Sequence, residues 1–204
     1  MRIAGRAKRR LRPARRSKPL IPDRKSIHDR PPQVNDRSEG GHWEGDLMFC
    51  KRNRPLLVLV ERKSRFVIIA RLQARDAKGT ARVIMDVFRQ LDPRLRRSIT
   101  FDNGTEFARH TLIKEALNMA TFFCDAYASW QKGAVENMNG RLRRDLPRKT
   151  DIDKMSDEDI ADIAFMHNLT PRKCLGFKTP LQALLQQLDI NVRLSFHGGV
   201  ALQT

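Results

Sequence analysis

His42-Trp43-Glu44-Gly45-Asp46-Leu47-Met48-Phe49-Cys50 alternates residue by residue. Trp43, Gly45, Leu47 and Phe49 fall on one side, and His42, Glu44, Asp46 and Met48 on the other. A period of two marks a strand with two different faces. Leu56 to Glu61 follows as an apolar run, the pattern of a strand buried on both faces. Phe66 to Arg71 makes a third strand. The connections Lys51–Pro55 and Arg62–Ser64 are short and polar, so the three strands read as an antiparallel meander.

Beyond the meander the period changes. Asp76 to Leu91 is helical, with Ala77, Ala81, Ile84, Val87 or Phe88, and Leu91 on one side and Asp92-Pro93 as the stop. Ser98 to Phe101 is a short strand ending directly on Asp102, and Thr105 to Asn118 is a second helix. Thr121 to Cys124 is a fifth strand, and Asp125 to Lys132 a loop. Gly133 to Leu146 is a helix with an apolar stripe of Val135, Met138, Leu142 and Leu146. Glu136, Asn139 or Gly140, and Arg143 form a polar stripe beside it, and Pro147 closes the helix. Further helices run from Ser156 to about Asn168 and from Pro180 to Leu188. Antiparallel strands followed by alternating helices and strands predict an α/β fold, a mixed five-stranded sheet flanked by helices. The element order resembles the ribonuclease H-like fold.

The 204 residues carry a formal net charge of +17, which points to a polyanionic partner. The charge is uneven: residues 1–37 hold 13 Lys or Arg against Asp23, Asp29 and Asp36. With five prolines and few apolar residues, 1–37 reads as a basic, largely extended arm suited to phosphate contact. Residues 38–170 read as the folded core and 171–204 as a helical tail. Three cysteines at long spacing form neither a disulfide framework nor a zinc knuckle. No apolar run approaches the ~20 residues of a membrane span, and the N-terminus lacks the apolar core of a secretory signal. The expected setting is the bacterial cytoplasm, in association with the nucleoid.

Three acids stand where a sheet could gather them. Asp46 is in the first strand, Asp102 at the exit of the fourth, and Glu136 on the polar stripe of a late helix. Each alone reads as a surface acid, since the chain has 23. Their joint placement favours a metal site. Two hard cations ~3.5–4 Å apart activate the attacking oxygen and stabilise the leaving one in phosphodiester chemistry. Such cations, Mg²⁺ or Mn²⁺, take carboxylate oxygens.

Longer segments carry a family resemblance: Gly41–Leu47, Leu59–Arg65, Thr100–Phe107 (Thr-Phe-Asp-Asn-Gly-Thr-Glu-Phe), Trp130–Arg143 (with Glu136-Asn-Met-Asn-Gly140), and Pro171–Pro180. With 33 residues between Asp102 and Glu136, the chain resembles the IS-thirty family of insertion-sequence transposases, within the retroviral integrase superfamily. The resemblance implies that Asp46, Asp102 and Glu136 are a D,D,E catalytic triad holding two divalent cations. It also implies cutting and joining of DNA at terminal inverted repeats and target sites, and action as a homo-oligomer. A helix-turn-helix module that reads the inverted repeats is expected ahead of this core, outside the sequence.

Asn139, Arg141, Arg143, Arg144 and Lys132 are the candidate DNA contacts. Glu44 shares Asp46's side and is placed to support a metal from behind its ligands. Glu106 reads as a first-turn helix acid, His42 as a packed or hydrogen-bonded residue, and Trp130 as core packing in preference to a platform for an extruded base. Two other functions fit the composition: a truncated remnant that only binds DNA, and a nuclease or resolvase of the same fold.

Overall fold

The structure, a computed structural model, describes residues 21–190. Five strands form one mixed sheet: β1 His42–Phe49, β2 Pro55–Glu61, β3 Val67–Arg71, β4 Ser98–Phe101 and β5 Ala120–Phe123, in the order β3-β2-β1-β4-β5. β1 pairs antiparallel with β2, and β2 with β3, completing the meander. β4 joins the other edge of β1 in parallel, and β5 joins β4 in parallel. β1 is therefore central, which suits its pattern of nearly complete burial.

The two sides of β1 face separate cores. On one, Trp43 and Leu47 pack with Leu57, Leu59, Ile99, Phe101 and Phe123 beneath helix α2 (Ala77–Arg89) and helix α3 (His110–Leu117). The Trp43 and Phe88 rings meet edge to face at 5.1 Å, and the indole N–H donates to the Leu95 carbonyl at 2.6 Å. Gly45 is required on this side: a Cβ there would lie 2.7 Å from the Phe101 ring. On the other side, Met48, Leu56, Val58 and Val60 pack under helix α4 (Gly133–Leu142) and helix α5 (Asp157–Leu169) through Val135, Met138, Leu142 and Ile160. The apolar stripe predicted for α4 is buried as expected, including Leu146 in the turn beyond the helix. The regular helix ends at Leu142, earlier than the Pro147 stop suggests. The helix expected over Thr105–Asn118 is broken into a 3-10 turn, Thr105–Phe107, and α3.

Residues 21–37 depart from the extended arm. They form a 3-10 turn, Ile27–Asp29, and a short helix α1, Pro32–Asp36, with Ile21, Ile27 and Val34 buried. Ser26 makes a parallel bridge to Phe123, and the Phe123 amide donates to the Lys25 carbonyl. Three apolar side chains at wide spacing are enough to seat this proline-rich segment on the sheet edge. The rest of the arm, 1–20, lies outside the described residues. At the other end, helix α6 (Pro180–Gln186) opens on a capping box of Thr179 and Gln182 and packs against α5. Among the described residues no helix is long and apolar enough to cross a membrane.

Candidate active site

The parallel pairing of β1 and β4 decides which acids meet. Asp46 lies midway along β1, and Asp102 directly follows β4; the parallel register that pairs Glu44 with Thr100 brings the two level, side by side. The Asp102 carboxylate accepts from the Gly104 amide at 2.9 Å, which closes the Asp-Asn-Gly turn and fixes the side chain. The Asn103 amide donates to the Cys124 carbonyl at 2.8 Å, tying the turn to the end of β5.

Between the two carboxylates sits a cation from the chain itself. The Lys132 ammonium donates to Asp46 Oδ1 at 3.0 Å, Asp102 Oδ2 at 3.2 Å and the Gly45 carbonyl at 3.3 Å. Lys132 is 2 % exposed, whereas the Asp46 and Asp102 side chains are 24 % and 42 % exposed. This corrects the expectation that Lys132 contacts DNA: its charge is spent inside the protein. Burial works against its protonated form, but the carboxylates of Asp46 and Asp102 outweigh burial and hold its pKa above that of ordinary lysine. Burial raises the Asp46 pKa above the usual carboxylate value; Lys132 opposes the rise and Asp102 adds to it.

Asn139 is likewise turned inward. Its amide nitrogen donates to Asp46 Oδ2 at 2.8 Å, while its amide oxygen is buried without a partner. Glu136 is exposed in the first turn of α4, on the same stripe as Asn139, and Lys132 occupies the N-cap position of that helix. No hydrogen bond joins it to either aspartate, and among the described residues no three His, Cys, Asp or Glu side chains converge as a metal-holding group. The structure thus unites two of the three expected acids and leaves the third on the adjacent helix. Arg143 donates to the Leu146 carbonyl at 3.2 Å and lies beside Cys50, so it folds back on its own turn. Arg141 and Arg144 are exposed, Arg141 donating to Asn137 at 3.1 Å.

Glu44 has a role that the sequence did not reveal. It is fully buried, pairs with Arg62, and accepts from the Ala134 and Val135 amides at 2.8 and 2.9 Å. It therefore caps the N-terminus of α4 from strand β1. Arg62 reaches on to the Val34 carbonyl, linking this pair to the N-terminal segment. Glu106 is buried and paired with Arg75 at 3.0 Å. His42 is buried and bonded to Ser98 at 2.7 Å, as expected. Trp130 is 72 % exposed, contrary to the core packing expected of it.

The Integrase core domain family matches residues 36–129. Over 169 residues, 82 % of this chain, it is 43 % identical to the transposase for insertion sequence element IS1086 of Cupriavidus metallidurans. Over 158 residues, 78 % of this chain, it is 38 % identical to transposase InsI for element IS30A of Escherichia coli. It spans 50 % and 41 % of those two proteins, so it corresponds to about half of each. The crystal structure of the BIV integrase catalytic core superposes with a TM-score of 0.55 at 19 % identity, covering 74 % of this chain and 97 % of that one. That likeness shows the fold, a ribonuclease H-like sheet. Residues 36–129 are thus similar to the integrase core domain, and most of the chain is similar to about half of two insertion-sequence transposases.

Proposed function

We propose that this chain is the catalytic domain of a DNA transposase, a D,D,E polynucleotidyl transferase, with Asp46, Asp102 and Glu136 as its metal-holding acids. One observation carries the reading: carboxylates from two adjacent parallel strands converge on a single point and bind a cation there, the Lys132 ammonium. The donor set suits a hard divalent ion. Asp46 and Asp102 offer carboxylate oxygens, and Asn139 leaves an amide oxygen buried and unpartnered beside them. Lys132 immediately precedes α4 and Glu136 lies in its first turn, so the ammonium and the third acid enter at the same end of the helix. Bound Mg²⁺ or Mn²⁺ supplies Lewis acidity at the phosphodiester and lowers the pKa of the attacking water or 3′ hydroxyl. The chain's own part is positional. The parallel strands fix Asp46 and Asp102, Asn139 orients Asp46, and Glu44 holds the start of α4 against β1.

DNA is the proposed substrate, at element ends and at target sites. The test supplies duplexes pre-cut at an element end, with Mg²⁺ or Mn²⁺, and measures joining to a target duplex. The expected result is metal-dependent strand transfer that Asp102→Asn abolishes while DNA binding persists. A chain that binds DNA but neither nicks nor joins it with either metal is a binding remnant, and the transferase reading fails.

A further inference from the structure

The flank of α4 away from the carboxylates is also charged, but its charges are unpaired. A cleft of about 390 Å³ is lined there by Arg37, Arg65, Arg141 and Arg172, with Asn137 and Cys174. Among the described residues, none of these four arginines has a carboxylate within ion-pair distance. Several arginines elsewhere are matched, Arg62 with Glu44, Arg75 with Glu106 and Arg97 with Glu39; others among the described residues, such as Arg109 and Arg148, are unpaired but do not line this cleft. Burial, then the neighbouring Arg65 and Arg62, depresses the pKa of Arg37; burial, then Arg141, depresses that of Arg172. These guanidiniums therefore crowd one another in a partly desolvated space. The carboxylate near them, Glu44, is already committed to Arg62 and to the first amides of α4. Four cations around one cleft, Arg141 held by Asn137 and Arg172 by the His167 carbonyl, call for an anion from outside.

We propose that this cleft seats a backbone phosphate of duplex DNA, remote from the phosphodiester that reacts. Guanidinium forks match phosphate oxygens in geometry as well as charge. Arg141 lies five residues from Glu136, roughly 140° round the helix, so it faces away from the catalytic stripe. A helix with its side chains is about 10–12 Å across, which separates this phosphate from the carboxylates. The cleft thus anchors the duplex at a second point and sets its angle across α4. The inference deepens the transposase reading and takes from it only that the substrate is DNA.

Cys174 makes the cleft readable. It is exposed, while Cys50 and Cys124 are buried, so a thiol reagent applied to the folded chain labels position 174. A short duplex is expected to protect Cys174 from labelling, and salt to remove the protection. Arg65→Gln and Arg141→Gln, both at accessible positions, are each expected to lower the slope of log binding constant against log salt by about one. An unchanged slope in both variants, with the unaltered chain still binding and joining DNA, overturns the cleft assignment and leaves the transposase reading intact. Inorganic phosphate is the second arm. If it protects Cys174 at millimolar concentration where saturating duplex does not, the cleft takes a free anion and the proposal is wrong. Failure of the unaltered chain to bind any duplex removes both readings together.

Discussion

Strand β1 places two acids on one face two residues apart, and their surroundings differ. Glu44 is a closed centre. It is fully buried, and Arg62 together with two backbone amides of α4 satisfies it. Asp46 belongs to an open centre. It shares one ammonium with Asp102, both carboxylates reach solvent, and the amide oxygen of Asn139 beside them has no partner. A closed centre has nothing left to offer a ligand, so its contribution is to fix the fold. An open centre has more acceptors than its internal cation can satisfy. The difference separates an architectural acid from a chemical one where residue type and strand position do not.

The comparison is tested most severely at Glu44. Removing one partner of a buried ion pair leaves the other charged and desolvated, at a cost of about 3–5 kcal/mol. Glu44→Ala should therefore lower the unfolding free energy read from urea titration by about that amount, and added Mn²⁺ should not restore it. Recovery with Mn²⁺ would mean that Glu44 belongs to the metal site after all. Lys132→Met should cost less, about 1–3 kcal/mol, because the carboxylates it leaves behind are partly hydrated. Here the loss should be recovered with Mn²⁺, and calorimetry should show tighter Mn²⁺ binding than in the unaltered chain, since the internal competitor is gone. Equal or weaker Mn²⁺ binding in Lys132→Met would show that the ammonium assists the metal and does not stand in for it.

Much of this was legible in the sequence, and the gaps have a common cause. Period two in β1 gave the right faces because the strand is central and each face meets its own core. The apolar stripe of α4 was legible for the same reason. What escaped was long-range. Nothing near Glu44 in sequence announces that the amides of residues 134 and 135 will land on it. Lys132 ends a polar loop, where a lysine is ordinarily solvated; only the parallel pairing of β1 with β4 creates the two-carboxylate pocket that draws it in. Residues 21–37 misled through averaging: prolines and charges dominate the composition, while Ile21, Ile27 and Val34 supply the contacts. Trp130 erred in the other direction, since large aromatics are usually buried and this one is not.

The smallest effect on stability is expected at Asn139, where the open centre meets α4. Asn139→Ala removes a hydrogen bond to a carboxylate, a loss, and also a buried amide oxygen that has no partner, a gain. The two oppose each other, so the net change should stay below about 1 kcal/mol. Metal affinity should respond differently. A group that orients a metal-holding carboxylate typically contributes 10–100-fold, and Mn²⁺ binding should weaken by roughly that factor. Asn139→Asp sharpens the point: it returns an oxygen donor but replaces the donated hydrogen bond with like-charge repulsion against Asp46. Without metal it should be the less stable of the two variants, and with Mn²⁺ the tighter binder. If both variants lose stability and metal affinity in proportion, Asn139 serves the fold as Glu44 does, and the division between open and closed centres does not extend to the helix.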